Sequence, residues 1–334
     1  MKPIRKLLAI RLSALGDICM TLPVLDSFCR AFPDVELTLL TSKPGAAIAQ
    51  AIIREANFAV IAINKKDYSG LSGLNRLYHE MKAQHFDAIA DLHDVLRTKW
   101  LCLRFRLAGC PVRVIDKGRK QKKLLVSHKI SSQLTDGSTR YANVLHALGF
   151  DFQVNYSGQG HRLSHEAIPS SIGIAPFAQH CGKIYPLDKM EQVVTQLLNA
   201  RPDLRIFLFG GPDDASRLQP WADACPTQIT NVAGRQTFAE DLALMSRLSL
   251  MVSMDSANMH LASLVGLRCL SIWGATHRFA GFLGYGQQEA DCLELPLPCR
   301  PCSIYGNKPC QKGDYPCLNG LTPEAVAHAI LLRI

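Results

Sequence analysis

Short apolar runs bounded by turn residues alternate with stretches of helical period along almost the whole chain. Residues 6–12, 35–42, 58–64, 86–93 and 112–116 read as strands in the first half. They are apolar throughout rather than every second residue, the pattern of a parallel sheet covered by helices on both faces. The series pauses after Lys123, and the polar, Gly-rich stretch at 155–160 places a linker near residues 155–170. Strands resume at 172–177, 205–211, 229–233, 250–255 and 268–273, with the clearest helices at 187–199 and 237–248. The prediction is an α/β protein of two Rossmann-like doubly wound domains facing a cleft. The first spans residues 1–165 and the second 166–320, and a closing helix occupies 321–334. A chain of 334 residues suits two domains.

Composition adds exclusions. Hydrophobic residues make up 48% and charged residues 19%, a globular balance rather than a disordered or fibrous one. No apolar run approaches the roughly 20 residues that span a bilayer. Arg11 ends the apolar run that begins at Leu7, too short for the h-region of a secretory signal. A cytoplasmic protein is expected. The formal net charge is +9, and it belongs to one stretch. Ten basic residues fall within 97–123, opposed only by Asp116, while the rest of the chain is balanced. Such a concentration suits an anionic partner. Residues 118–123 read as an exposed loop, with no aromatic residue to stack bases, and no nucleic-acid partner is expected.

The candidate chemistry lies where strands give way to helices, the ligand side of an open α/β sheet. After the first strand comes Ser13-Ala14-Leu15-Gly16-Asp17. Asp17 suits either an N-cap carboxylate or a catalytic base. Lys183, in the loop before Pro186, suits either a solvated lysine or a phosphate contact. Asp255-Ser256-Ala257-Asn258 runs into a helix whose first amides form an anion site, and His260 is either a core histidine or a donor to that anion.

In order and spacing, these motifs resemble the family nine glycosyltransferases, whose best-known members are the heptosyltransferases of lipopolysaccharide core synthesis. The resemblance covers nearly the whole chain. It is carried by the segment from Ile10 to Asp17 with Thr21-Leu22-Pro23-Val24-Leu25, by Asp91-Leu92-His93 and the basic helix after it, and by Lys183-Ile184-Tyr185-Pro186. Phe209-Gly210-Gly211-Pro212, Val232-Ala233-Gly234-Arg235 and Val252-Ser253-Met254-Asp255-Ser256 complete it. Ala257 stands where such enzymes usually have glycine, and Gly274-Ala275-Thr276 where they often have Gly-Pro-Thr.

The resemblance implies a GT-B architecture with the C-terminal helix near the domain junction. It also implies inverting, metal-independent transfer of a sugar from a nucleotide donor, most readily heptose from ADP-heptose, onto a lipopolysaccharide core acceptor such as Kdo-lipid A. Asp17 is then the general base. Lys183, Asp255, Ser256, Ala257 and His260 serve the donor, and Asp213 or Asp214 the ribose, with Asp214 preferred. Arg97, Arg119, Lys120 and Lys122 serve an anionic glycolipid acceptor, with the protein peripheral at the inner face of the inner membrane. Two alternatives remain at this point: a transferase with another nucleotide sugar, building O-antigen or capsule, and a non-catalytic binder of nucleotide sugar or glycolipid.

Twelve cysteines need no secreted disulfide framework in a chain long enough to bury a full core. Eight are scattered, and most of these read as small buried hydrophobes. Cys299, Cys302, Cys310 and Cys317 are clustered, and three readings stand: a structural zinc, disulfides or free thiols. No catalytic cofactor is expected.

Overall fold

A computed structural model of the chain describes residues 3–163 and 165–334. Met1, Lys2 and Ser164, parts of the N-terminal stretch and of the predicted linker, lie outside the described residues. The chain divides into two compact units. The first comprises residues 1–119 and 135–156, and the second 120–134 and 157–334. The division thus falls at 156/157, within the predicted linker region and ahead of 165/166. Residues 120–134, taken from the sequence as part of the first domain, belong with the second unit.

In the first unit, β1 (Lys6–Ile10), β2 (Glu36–Ser42), β3 (Phe58–Ile63), β4 (Ala88–Asp91) and β5 (Val112–Val114) form one parallel sheet in the order β3-β2-β1-β4-β5. Its helices are α1 (Leu15–Ala31), α2 (Lys43–Ile52), α3 (Gly70–Lys82), α4 (Leu96–Leu107) and α6 (Gly137–His146), while α5 (Arg119–Val126), which follows α4 in the chain, belongs to the second unit from Lys120 onward. Leu8, Ile10, Leu40 and Ile89 of the strands pack with Leu77, Leu101 and Phe105 of the helices as one core. Burying such side chains contributes about 1.5–3 kcal/mol each.

The second unit holds α7 (Gln159–Leu163), α8 (Leu187–Ala200), α9 (Ala215–Ala224), α10 (Phe238–Met245), α11 (Ala257–Leu264), α12 (Pro316–Asn319) and α13 (Pro323–Leu331). Its strands are β6 (Ser171–Ala175), β7 (Arg205–Leu208), β8 (Ile229–Asn231), β9 (Leu250–Met254), β10 (Cys269–Ile272) and β11 (Cys292–Leu293). The sheet order is β11-β10-β9-β6-β7-β8, all parallel. Read in chain order within each unit, the first three strands grow one way from the starting strand and the rest grow the other way. This reversal creates a crevice at the carboxyl ends of β1 and β4 in one unit and of β6 and β9 in the other. The closing helix α13 packs on α8, within the second unit.

One local expectation is overturned. Residues 118–123 are not a loop: only Gly118, at φ +61°, precedes the helix, and α5 runs from Arg119. The basic run hid an amphipathic helix, because Leu125 is buried while Arg119, Lys120 and Lys123 are exposed. Long Lys and Arg side chains lose little rotamer freedom in a helix, so charge is no bar to forming one.

Candidate active site

Each unit gathers polar side chains at the crevice its topology creates. In the first unit the chain leaves β1 at Arg11, which is only 4% exposed. Its Nη1 donates to the Leu92 carbonyl beyond β4 at 2.7 Å, and its Nη2 lies 2.5 Å from Asp17 Oδ2 in the first turn of α1. The guanidinium also sits 5.7 Å from the Tyr141 ring centroid. Asp17 Oδ2 therefore has a cation and, more loosely, the Ala14 N–H at 3.4 Å. Oδ1 receives only a long contact from the Tyr141 hydroxyl at 3.5 Å, and the side chain remains 29% exposed. One oxygen anchors the carboxylate, and the other carries the weaker contact from Tyr141.

His93, immediately beyond β4, lies beside this pair. The Leu12 N–H donates to its Nδ1 at 3.4 Å, which places the ring proton on Nε2, 3.5 Å from Ser13 Oγ. Burial, with the charges of Arg11 and Lys117 nearby, pushes His93 down to about 3. It is a neutral imidazole at physiological pH. Burial and the charges of Arg11 and Arg119 likewise hold the Lys117 ammonium below its usual range. Asp91 turns the chain here, accepting the His93 and Asp94 amides at 2.9 and 3.0 Å.

In the second unit the loops after β6, β9 and β10 meet because those three strands are neighbours. Lys183 follows β6 in a single 3-10 turn, and its Nζ lies 2.8 Å from Asp255 Oδ2 after β9. Thr276, after β10, donates to the same Oδ2 at 2.8 Å. Asp255 is 3% exposed, so these two donors serve a buried carboxylate. The Lys183 stem runs over Gly306, where an added Cβ would stand 2.7 Å from Lys183 Cγ. Gly306 has φ +72° as well, so glycine is required there on both counts.

Beyond Asp255 the chain enters α11 with Ser256 as N-cap. Its hydroxyl lies 3.2 Å from Ser253 Oγ and makes no cap bond, so no side chain of the cap occupies the first amides of α11. Those amides point positive partial charge out of the helix start. His260 is buried in the same helix.

The predicted donor residues Lys183, Asp255, Ser256 and Ala257 thus gather where the chain leaves β6 and β9, and His260 follows within α11. Asp214 is placed differently: its Oδ2 accepts the Gly211 N–H at 2.8 Å, closing the turn before α9. The acceptor candidates divide between the units. Arg97 donates to the Tyr68 carbonyl at 2.6 Å, and Arg119 pairs with Asp94 at 2.6 Å, both in the first unit. Lys120 and Lys122 belong to the second, where the Lys122 ammonium stands 4.2 Å from the Phe282 ring centroid.

The cysteine-rich segment fastens the loop after β10 through a residue the sequence reading passed over. Arg300 is 6% exposed and donates to the carbonyls of Gly274, Leu295 and Thr276 at 2.6, 2.6 and 3.0 Å. Its charge is met by Glu294 at 2.9 Å. Among the described residues, Cys299, Cys302, Cys310 and Cys317 are free thiols, and no three His, Cys, Asp or Glu side chains gather as a metal-ligating group. Burial, with the other three thiols nearby, pushes Cys302 up to about 11. Arg11, His93, Lys117, Thr276 and Arg300 are the site residues that sequence reasoning missed. Their common signal is a basic or hydroxyl residue just beyond a strand end or inside a Pro-rich loop.

Two doubly wound parallel sheets of this connectivity are the fold of GT-B-type enzymes. The chain belongs to glycosyltransferase family 9, the heptosyltransferase family, whose model matches residues 74–310. It is 26% identical over 283 residues to lipopolysaccharide heptosyltransferase 3 of Escherichia coli, covering 78% of this chain and 81% of that one. The fold is similar to the crystal structure of a family 9 glycosyl transferase from Veillonella parvula, with a TM-score of 0.73 at 20% identity, covering 99% and 98% of the two chains. It is also similar to E. coli heptosyltransferase WaaC with ADP-2-deoxy-2-fluoro heptose, with a TM-score of 0.72 at 17% identity, covering 98% and 100%.

Proposed function

We propose that this glycosyltransferase is an inverting heptosyltransferase that moves heptose from ADP-heptose onto a lipopolysaccharide core acceptor such as Kdo-lipid A, working peripherally at the cytoplasmic face of a membrane. The observation that carries the proposal is Asp17, held through Oδ2 by buried Arg11 at 2.5 Å while Oδ1 has only the long contact from Tyr141 at 3.5 Å. In this mechanism Asp17 Oδ1 takes the proton of an acceptor hydroxyl as that oxygen forms its bond to the anomeric carbon. The bond from that carbon to the donor phosphate breaks on the opposite face, so the configuration inverts and the nucleoside diphosphate leaves with the electron pair.

Charge then grows on the departing diphosphate. Lys183 and the free amides at the start of α11 supply fixed positive charge, with His260 as a further donor, and no metal enters the step. Asp255 holds Lys183 in place beside that helix start. The basic residues of α4 and α5 suit an anionic glycolipid. The family and the ADP-heptose analogue bound by WaaC support the choice of donor.

The test is thermal stabilisation by ADP, UDP, GDP and CMP, each alone and without metal. A ligand at about 100 times its Kd adds about 2.7 kcal/mol. The proposal expects a clear response to ADP alone. A response to another nucleotide would keep the transferase and replace the donor.

A further inference from the structure

Helix α4 has two apolar faces. Thr98, Leu101, Cys102 and Phe105 are buried against the first unit. With about 100° between successive residues, Leu96, Trp100, Leu103 and Leu107 form a second stripe on the opposite side. Leu96, Leu103 and Leu107 are 87%, 47% and 76% exposed. Trp100 is half-buried and donates its Nε1 to Asn75 Oδ1 at 3.3 Å.

Basic residues flank the outer stripe on both sides, Lys99 and Arg106 on one and Arg97 and Arg104 on the other. No acidic residue occurs from Val95 to Ile115. Leu71, on the adjoining α3, is also 65% exposed. A single exposed leucine is ordinary, but four large apolar side chains in one row between rows of cations are not.

We infer that the outer face of α4 is a docking surface for an anionic lipid bilayer. Its leucines and Trp100 enter the headgroup–acyl boundary, and Lys99 and Arg106 meet the lipid phosphates. The stripe runs along a helix seated on the core by its opposite face, so it lies in the plane of the interface rather than across it. Charge complementarity selects the occupant: a neutral protein partner explains the leucines but not the cations, and a nucleic acid explains the cations but not the leucines. The inference deepens the membrane-associated reading above and names the surface that performs it, without depending on the donor sugar.

The test is co-sedimentation of the full chain with phosphatidylcholine vesicles, with and without phosphatidylglycerol, together with tryptophan fluorescence. Trp221 and Trp273 are buried, so a lipid-dependent blue shift reports Trp100. The wild type is expected to bind the anionic vesicles, to weaken with salt, and to shift blue. The double variant Leu103→Glu/Leu107→Glu should lose at least about tenfold in partitioning with an unchanged melting temperature. Arg106→Glu should lose only the salt-sensitive part.

Wild type that ignores anionic vesicles, or a leucine variant that binds them fully, would overturn the inference. So would a dimer in lipid-free solution that the leucine variant dissociates, since a second copy would then be the occupant. ADP stabilisation is measured on the same samples. If it persists while vesicle binding is absent, the docking face fails and the donor reading stands; the reverse result fails the donor reading alone.

Discussion

Lys183 Nζ lies 2.8 Å from Asp255 Oδ2, joining the loop after β6 to the loop after β9 at the point where the second sheet reverses its strand order. Neither residue is a loose loop charge: their side chains are 15% and 4% exposed. The ammonium proposed to meet the donor phosphate is positioned before the donor arrives, by a carboxylate that Thr276 also binds. Preorganisation of this kind lowers the ordering cost of binding.

Removing the ammonium should therefore damage two properties. Lys183→Met leaves Asp255 buried with one donor fewer, and breaking a buried pair costs on the order of 3 kcal/mol. It should also weaken ADP binding. Asp255→Asn should keep more of the stability but allow Lys183 to move. Melting curves with and without ADP separate the two effects, and a Lys183→Met protein with wild-type stability and ADP response would remove the pair from both roles.

Arg300 makes a prediction for the cysteine-rich segment. It fastens the carbonyls of Gly274, Thr276 and Leu295, and Thr276 in turn bonds Asp255. Arg300→Ala should lower stability by about 3–5 kcal/mol, since it leaves Glu294 and three carbonyls short of a donor. Donor affinity should fall with it. Chelation at neutral pH should leave transfer unchanged, because Lys183 and the amides of α11 carry the leaving-group charge in the proposed step. An assay with and without EDTA reads this directly, and a chelator-sensitive rate restored by one metal would contradict it.

His93 gives the account a pH signature. Its pKa falls from 6.5 to about 3 on folding, so between those values the unfolded chain binds the extra proton. Stability from His93 is complete above about pH 6.5 and is lost as pH falls, by about 1.4 kcal/mol per unit. Asp241 acts with the opposite sign. Burial and Glu240 raise it from 3.8 to about 7, and its contribution is lost as pH rises through that range. The difference between wild type and His93→Gln cancels Asp241. That difference should shrink steadily from pH 6.5 towards pH 4, and a flat difference would show that His93 is not held neutral by the fold.

Much of this organisation was legible in the sequence. All ten strands expected from apolar runs are present, each one to four residues shorter because its flanking residues belong to the turns. The missed strand, β11, has two residues, too few to carry a pattern. Asp17, Lys183 and Asp255 could be placed at strand ends because parallel sheets put ligand chemistry there. Their partners could not. Arg11–Asp17 closes within the one turn from β1 into α1, but the bond from Arg11 to the Leu92 carbonyl, Lys183–Asp255 and Arg300 with its three carbonyls depend on which strands become neighbours. Strand order is set by the packing of whole units, and a reading along the chain does not reach it. The helix α5 was hidden for a different reason, since a run of like charges has the composition of a loop.

The central claim is that Asp17 deprotonates the acceptor. The most direct measurement is single-turnover transfer from ADP-heptose to Kdo-lipid A by wild type and Asp17→Asn, with ADP binding followed in parallel. Asparagine preserves the size of the side chain and its oxygen towards Arg11, but it cannot take the proton. The account predicts transfer slowed by about 10²–10⁴-fold with ADP binding within a factor of about two. Transfer at the wild-type rate by Asp17→Asn would contradict it.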